Sequence, residues 1–399
     1  MNARFFYDIV CPYAYLASTQ IEKLALETGA TIEWVPMLLG GVFRAHEAPQ
    51  VPAEHMSPPK AEMNVIDLQR WAKRWNVPFQ FSSHHPQRSV EAMRFLCVTP
   101  PDLRPQVSAA LFKAYWVDQR ILDQALIDEI AGHFGLTEVW TSQRALAKSR
   151  LFENTELAVQ FGVFGAPAIE IEGEIFWGQD RLELARVKLG STLEPITEGQ
   201  APEGTYVELY HDFASPFSYL GCQYAAHLIE ARGAQLVWRP ILLGALFRAL
   251  KGPIVPLFEM SKAKQRYMLK DLGDWAERWG KPFKFPQGFP MNTVTALRLA
   301  IVEPTLTLPL YHAAWGEGLD LSKEETLHQV MHAQGYSSER LFAQAQEPEV
   351  KQQLRDNTLA AEQIKAFGVP SYVLHRPDEP PQLFWGQDRL RLLCEAIVV

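Results

Sequence analysis

The sequence predicts an α/β chain built as two tandem copies of one domain, each a small sheet interrupted by a block of helices. Three observations carry this. Asp8, Pro12, Tyr15, Leu16, Trp34, Pro36, Phe43 and Arg44 return, at one constant spacing, as Asp212, Pro216, Tyr219, Leu220, Trp238, Pro240, Phe247 and Arg248. Phe176-Trp177-Gly178-Gln179-Asp180-Arg181-Leu182 is repeated verbatim at residues 384–390. The apolar periodicity passes from strand-like to helical and back in the same order in both copies. The expected boundaries are 1–195 for the first domain, 196–204 for a polar linker holding Gly199, Pro202 and Gly204, and 205–399 for the second.

Each element follows in order. Residues 4–8 and 206–212 are short apolar-aromatic runs and read as strands. Pro12 and Pro216 then open helices, because proline in a first helical turn gives up only an N–H that would lack a partner anyway. These helices are expected to run to residues 28 and 232, stopped by Gly29 and Gly233. Residues 31–35 and 235–239 read as second strands. The stretches 58–160 and 262–366 are helical in period; Leu68, Trp71, Ala72 and Trp75 mark one apolar stripe. Strand signals return at 168–172 with 175–177, and at 371–375 with 382–385, each pair followed by a short helix from near Asp180 or Asp388. A β-α-β half, a helical insertion and a β-β-α half are the order of a thioredoxin-like fold carrying a helical insertion.

Composition sets the class. The 399 residues exceed one ordinary core, and 47% hydrophobic with 21% charged residues is the make-up of a soluble globular protein. A net charge of −8 supplies neither the basic footprint of a nucleic-acid binder nor an attraction to anionic membranes. No apolar run approaches the roughly 20 residues that span a bilayer. Asp8 and Pro12 interrupt the N-terminal apolar stretch, so no secretory signal is expected there. The four cysteines, Cys11, Cys97, Cys222 and Cys394, form no CxxC pair; this fits a reducing cytoplasm and gives no metal spacing. His84-His85 has no second ligand cluster beside it and reads as a surface loop.

Chemistry concentrates in three places. Cys11-Pro12 and Ser215-Pro216 stand at strand-to-helix junctions, where free backbone N–H groups and the helix dipole favour an anion. A thiol there is expected to have a lowered pKa, and a hydroxyl there can donate to a bound thiolate; plain N-capping is the competing reading. Gly165-Ala166-Pro167 and Gly368-Val369-Pro370 precede strands, where a proline, cis or trans, fixes the backbone for pairing with an extended peptide. Asp180-Arg181 and Asp388-Arg389 combine an N-cap candidate with a guanidinium, a set able to meet ammonium and carboxylate together.

These residues together resemble the 2-hydroxychromene-2-carboxylate isomerase and kappa-class glutathione transferase family, in the DsbA-like branch of the thioredoxin superfamily. The family opening F-[FY]-D-x-x-S-P-Y-S-[YW]-L is similar to residues 6–16 and 210–220; its F-G-V-P and F-W-G-x-D-R-L motifs match both copies. The resemblance implies two DsbA-like domains and glutathione as cofactor, acting on an aromatic or otherwise electrophilic small molecule. It implies that Ser215, and by position Cys11, meet the glutathione sulfur. It further implies that Ala166-Pro167 and Val369-Pro370 pair with the tripeptide backbone, that the Asp-Arg pairs hold its γ-glutamyl end, and that Lys60 and Lys264 meet a carboxylate. Family members are single-unit homodimers, so an intrachain pseudo-dimer is expected. Two departures stand out. Arg44-Ala45-His46-Glu47-Ala48 and Arg248-Ala249-Leu250-Lys251-Gly252 lack the family's asparagine, and the first copy has Cys11 for serine. Because of that cysteine, a thiol–disulfide oxidoreductase acting through Cys11 alone stays open beside the isomerase or transferase, although Ala14 leaves no resolving cysteine. A partly degenerate glutathione-binding protein is the third reading.

Overall fold

β1 (Asn2–Tyr7) lies inside a four-stranded sheet, parallel to β2 (Thr31–Pro36) on one side and antiparallel to β3 (Ala168–Ile171) on the other. β4 (Glu174–Trp177) completes the order β2-β1-β3-β4. A central strand has no solvent face, which is why Phe5, Phe6 and Tyr7 are consecutive, apolar and buried instead of alternating. Phe5 sits between Trp34 and Ile169 in register. The second sheet repeats the order with β5 (Tyr206–His211), β6 (Gln235–Pro240), β7 (Ser371–His375) and β8 (Gln382–Trp385) as β6-β5-β7-β8. The computed structural model describes residues 1–253, 255–286 and 288–398.

The first helix, Pro12–Thr28, ends on Gly29 in the left-handed region (φ 65°), the conformation that favours glycine. Its counterpart, Pro216–Glu230, stops two residues short of the expected end; Ala231 and Arg232 form a turn before Gly233 takes the positive φ. Between the sheet halves of the first repeat lie the helices Pro58–Arg74, Val90–Val98, Arg104–Trp116, Gln124–His133, Thr137–Ser142 and Arg144–Gln160. Trp71 and Trp275 are buried within the corresponding helices of the two repeats, as their spacing predicts. Two α/β units of thioredoxin type result, each with a mixed sheet and inserted helices. Residues 191–202 carry no helix or strand.

The compact units do not coincide wholly with the sequence repeats. The first comprises Met1–Met56, Ala61–Glu194 and Ser261–Tyr267; the second comprises Ser57–Lys60, Pro195–Met260 and the chain from Met268. Among the described residues no helix is long and apolar enough to cross a membrane, and no three His, Cys, Asp or Glu side chains cluster as a metal site.

Candidate active site

The strand-to-helix turn places Cys11 and Ser215 alike. Both have extended backbone (φ −90°, ψ 117° and φ −104°, ψ 117°), and each is followed by a proline in the first helical turn. The Ser215 hydroxyl accepts from the Ser218 N–H at 3.1 Å and donates to the Val369 carbonyl at 3.2 Å. The Cys11 thiol donates to the Ala166 carbonyl at 3.1 Å. Both acceptors are the residues before cis prolines, Pro167 and Pro370. Helix start and proline-led strand, more than 150 residues apart in each case, are thus brought within hydrogen-bond reach.

Burial reverses the expected thiol chemistry. Cys11 is only 6% exposed, and removal from water pushes its pKa up to about 12. The Ala14 and Tyr13 N–H groups pull it down, the Asp8 carboxyl pushes it up, and desolvation is the largest of these effects. The helix N-terminus does act on the sulfur as predicted, but it is outweighed.

The Trp-Gly-Gln-Asp-Arg-Leu segment closes on the same proline loop. The Gly178 N–H donates to the Pro167 carbonyl at 3.0 Å, and the Gly386 N–H to that of Pro370 at 2.9 Å. Trp177 packs tilted against Phe164, with centroids 4.7 Å apart, and lies across Gly165, where any Cβ would meet its Nε1 at 2.6 Å. Asp180 and Asp388 are not N-caps, contrary to expectation. Each lies inside a 3₁₀ turn, Gln179–Arg181 or Gln387–Arg389, whose cap is a glycine of positive φ. A Cβ on Gly178 would come within 2.4 Å of the Asp180 carboxylate, so glycine is what lets the acid fold back there. The carboxylate instead pairs with its neighbour: Asp180–Arg181 and Asp388–Arg389 are each 3.1 Å apart and largely buried. Both 3₁₀ turns pack on the helix that starts at Pro12 or Pro216.

A family description, a DSBA-like thioredoxin domain, matches residues 3–190 and again 206–398. The chain belongs to the DSBA-like thioredoxin family. Curated relatives of this DSBA-like chain include a 2-hydroxychromene-2-carboxylate isomerase of Pseudomonas putida, 25% identical over 48% of this chain and 95% of its own length. Glutathione S-transferase kappa 1 of Homo sapiens is 28% identical over 48% of this chain and 90% of its own. Each relative therefore corresponds to about half of this double-length protein. A solved 2-hydroxychromene-2-carboxylate isomerase is 27% identical and covers 48% of this chain and 93% of its own, with a TM-score of 0.43.

The two lysines occupy unexpected places in this DSBA-like architecture. Lys264 belongs to the first unit, with its Nζ 5.3 Å from the centroid of the Trp177 ring. Lys60 belongs to the second, 5.8 Å from the centroid of Trp385, and burial lowers its pKa. Each lysine thus stands beside the Trp-Gly-Gln-Asp-Arg segment that its own repeat does not supply. Within the first unit Tyr267 adds to this surface: its hydroxyl accepts from the Trp177 N–H at 3.0 Å and its ring lies 5.3 Å from Phe164.

Sequence reasoning passed over Asp8 and Asp212, although both stood out in the repeat. Asp212 accepts from the Leu243 N–H at 2.8 Å, the Ala214 N–H at 3.0 Å and the Thr293 hydroxyl at 2.7 Å. Asp8 accepts from the Leu39 and Val10 N–H groups and from the Ser89 side chain. Burial raises the pKa of both carboxyls. They tie two loops, those at Leu39 and Ser89 or at Leu243 and Thr293, to the turn that presents Cys11 or Ser215. The other cysteines, Cys97, Cys222 and Cys394, are buried, as expected of small apolar filler.

Proposed function

We propose that each unit binds glutathione and that the protein is a glutathione-dependent isomerase or transferase of small electrophilic, chiefly aromatic, molecules. One observation carries the reading. In both units a thiol or hydroxyl at a helix N-terminus faces the carbonyl that precedes a cis proline, next to a buried Asp-Arg pair. The names of the isomerase and transferase relatives point the same way. The domain limits 1–195 and 205–399, joined by 196–204, are part of the proposal.

The donor set fits the tripeptide. Glutathione carries one ammonium, two carboxylates and an extended backbone, and bound it supplies a thiol whose anion is nucleophilic. Asp180 or Asp388 offers an acceptor for the ammonium, and Arg181 or Arg389 offers donors for the adjoining carboxylate. Lys264 in the first unit and Lys60 in the second offer an ammonium to the other carboxylate. Ala166-Pro167 and Val369-Pro370 present the backbone edge of a strand to the peptide. Ser215, held by the Ser218 N–H, turns its hydrogen from the Val369 carbonyl to the arriving sulfur; that donor and the helix N-terminus lower the pKa of a thiol placed there.

Cys11 held as a neutral thiol favours this reading over an oxidoreductase, because thiolate is the form that attacks disulfides. The test is the ultraviolet thiolate absorbance of glutathione mixed with the protein across pH. The proposal expects the bound thiol to ionise below the free thiol's range in the wild type, and Ser215→Ala to return part of the signal to higher pH. An ionisation curve identical to that of free glutathione would refute it.

A further inference from the structure

Consecutive amides of a strand point to opposite edges, so the outermost strand of a sheet turns every second N–H away from its neighbour. β4 is such a strand, and Trp177 and Gly178 show the two directions at its end. The Gly178 N–H points inward, to the Pro167 carbonyl at 3.0 Å. The Trp177 N–H points outward and is received by the Tyr267 hydroxyl, also at 3.0 Å. An outward edge amide ordinarily goes to water; here a side chain only 7% exposed takes it.

Two more contacts within the first unit fix the Tyr267 ring: it lies 5.3 Å from Phe164 and meets the Trp177 indole edge-on at 6.0 Å. Phe164 opens the proline loop, and Trp177 opens the segment that ends in Asp180-Arg181. Lys264 stands three residues before Tyr267 on the same helix, Lys262–Arg278. One helical face thus carries the ammonium near the Trp177 ring and the hydroxyl on the Trp177 backbone. Gly178 is the most pliant link of the segment, with φ 109°, and the buried Asp180-Arg181 pair follows within three residues. Adjacent amides held from opposite sides fix the backbone where glycine leaves it freest to swing. In the other repeat the residue at the place of Tyr267 is Met63, whose thioether donates nothing and accepts weakly.

Building on the proposed glutathione binding, we infer that Tyr267 is a positioning residue of the first unit: its hydroxyl fixes the outer edge of the Trp177–Arg181 segment and so aims the Asp180-Arg181 pair at the γ-glutamyl end of the tripeptide. It acts through that pair and needs no contact with the ligand. A charged pair that must meet an ammonium and a carboxylate together tolerates little misplacement, which is why a hydroxyl behind it matters.

The test is a ligand-observed NMR titration of the full chain with reduced glutathione, in a background where Asp388→Asn weakens the second site. Tyr267→Phe, which removes only the hydroxyl, is expected to weaken glutathione at the first site about five- to tenfold. Tyr267→Met, the residue of the other repeat, is expected to weaken it at least as much. Added to Asp180→Asn, Tyr267→Phe should cost less than about a further twofold, because the hydroxyl acts through that carboxylate. Unchanged affinity in Tyr267→Phe, or losses that add in full, would overturn the inference. Hydrogen exchange of the ligand-free chain separates this inference from the glutathione reading. Tyr267→Phe should exchange faster over residues 175–182 and as wild type elsewhere. If the wild type binds no glutathione, the glutathione proposal falls; faster exchange then leaves the Tyr267 clasp standing, and unchanged exchange removes it as well.

Discussion

Trp177 lies across Gly165 so closely that no side chain fits between them, and Trp385 repeats the contact over Gly368, where a Cβ would come within 2.8 Å of the indole nitrogen. Two motifs that are only short words in the sequence form one packed unit, with the proline loop as its floor. Gly165→Ala is therefore expected to destabilise the first unit by about 1–3 kcal/mol through overpacking. Thermal unfolding should show a fall of several degrees, and Trp177→Phe in the same chain should recover part of it. An unchanged melting temperature in Gly165→Ala would show that the contact is not tight.

The lysine placement makes a crossed prediction. Lys264→Met should weaken glutathione binding at the site of Cys11 and Asp180, and Lys60→Met at that of Ser215 and Asp388, each about ten- to a hundredfold for a lost charge-assisted hydrogen bond. Combining each lysine variant with Cys11→Ala or Ser215→Ala in calorimetric titrations assigns the affected site. Weakening at the site of the lysine's own repeat would contradict the assignment.

Asp212 yields a pH dependence with a definite sign. Burial raises its pKa above the usual 3.8. A carboxyl whose folded pKa lies above its unfolded value stabilises the fold fully below about pH 4, and that contribution is lost as pH rises through the folded value. Asp212→Asn stays neutral and escapes this loss. Its melting temperature relative to wild type should therefore rise between pH 4 and pH 7. A relative stability that falls over that range would contradict the burial argument.

Cys11 should be a slow thiol. With a pKa near 12, its thiolate fraction at pH 8 is about three orders of magnitude below that of an exposed cysteine. Iodoacetamide labelling followed by peptide mass mapping should leave Cys11 largely unmodified in the native chain and modify it readily in urea. Complete native labelling within minutes at pH 8 would favour the oxidoreductase reading.

The sequence carried the fold well because the signals of its elements are local: Pro12 and Gly29 bound one helix, and Phe5-Phe6-Tyr7 marks a central strand. The pairing of Cys11 with Pro167 and of Ser215 with Pro370 was also legible, since topology brings the first helix to that loop. Three features were not. The pKa of Cys11 depends on burial by residues scattered along the chain, whereas the helix N-terminus is read from its neighbours. Asp180 resembles a cap in sequence, but the positive φ of Gly178 turns it into a 3₁₀ residue. Lys60 and Lys264 occupy equivalent positions in near-identical settings, so no local pattern tells which unit receives which.

In the proposed function the helix-start groups Cys11 and Ser215 each hold a small thiol in their own unit. Isothermal calorimetry with reduced glutathione on wild type, Cys11→Ala and Ser215→Ala tests it most directly. Binding at two sites is expected in the wild type, with each substitution weakening one site and sparing the other. No binding heat in the wild type, or two substitutions that leave both sites untouched, would contradict it.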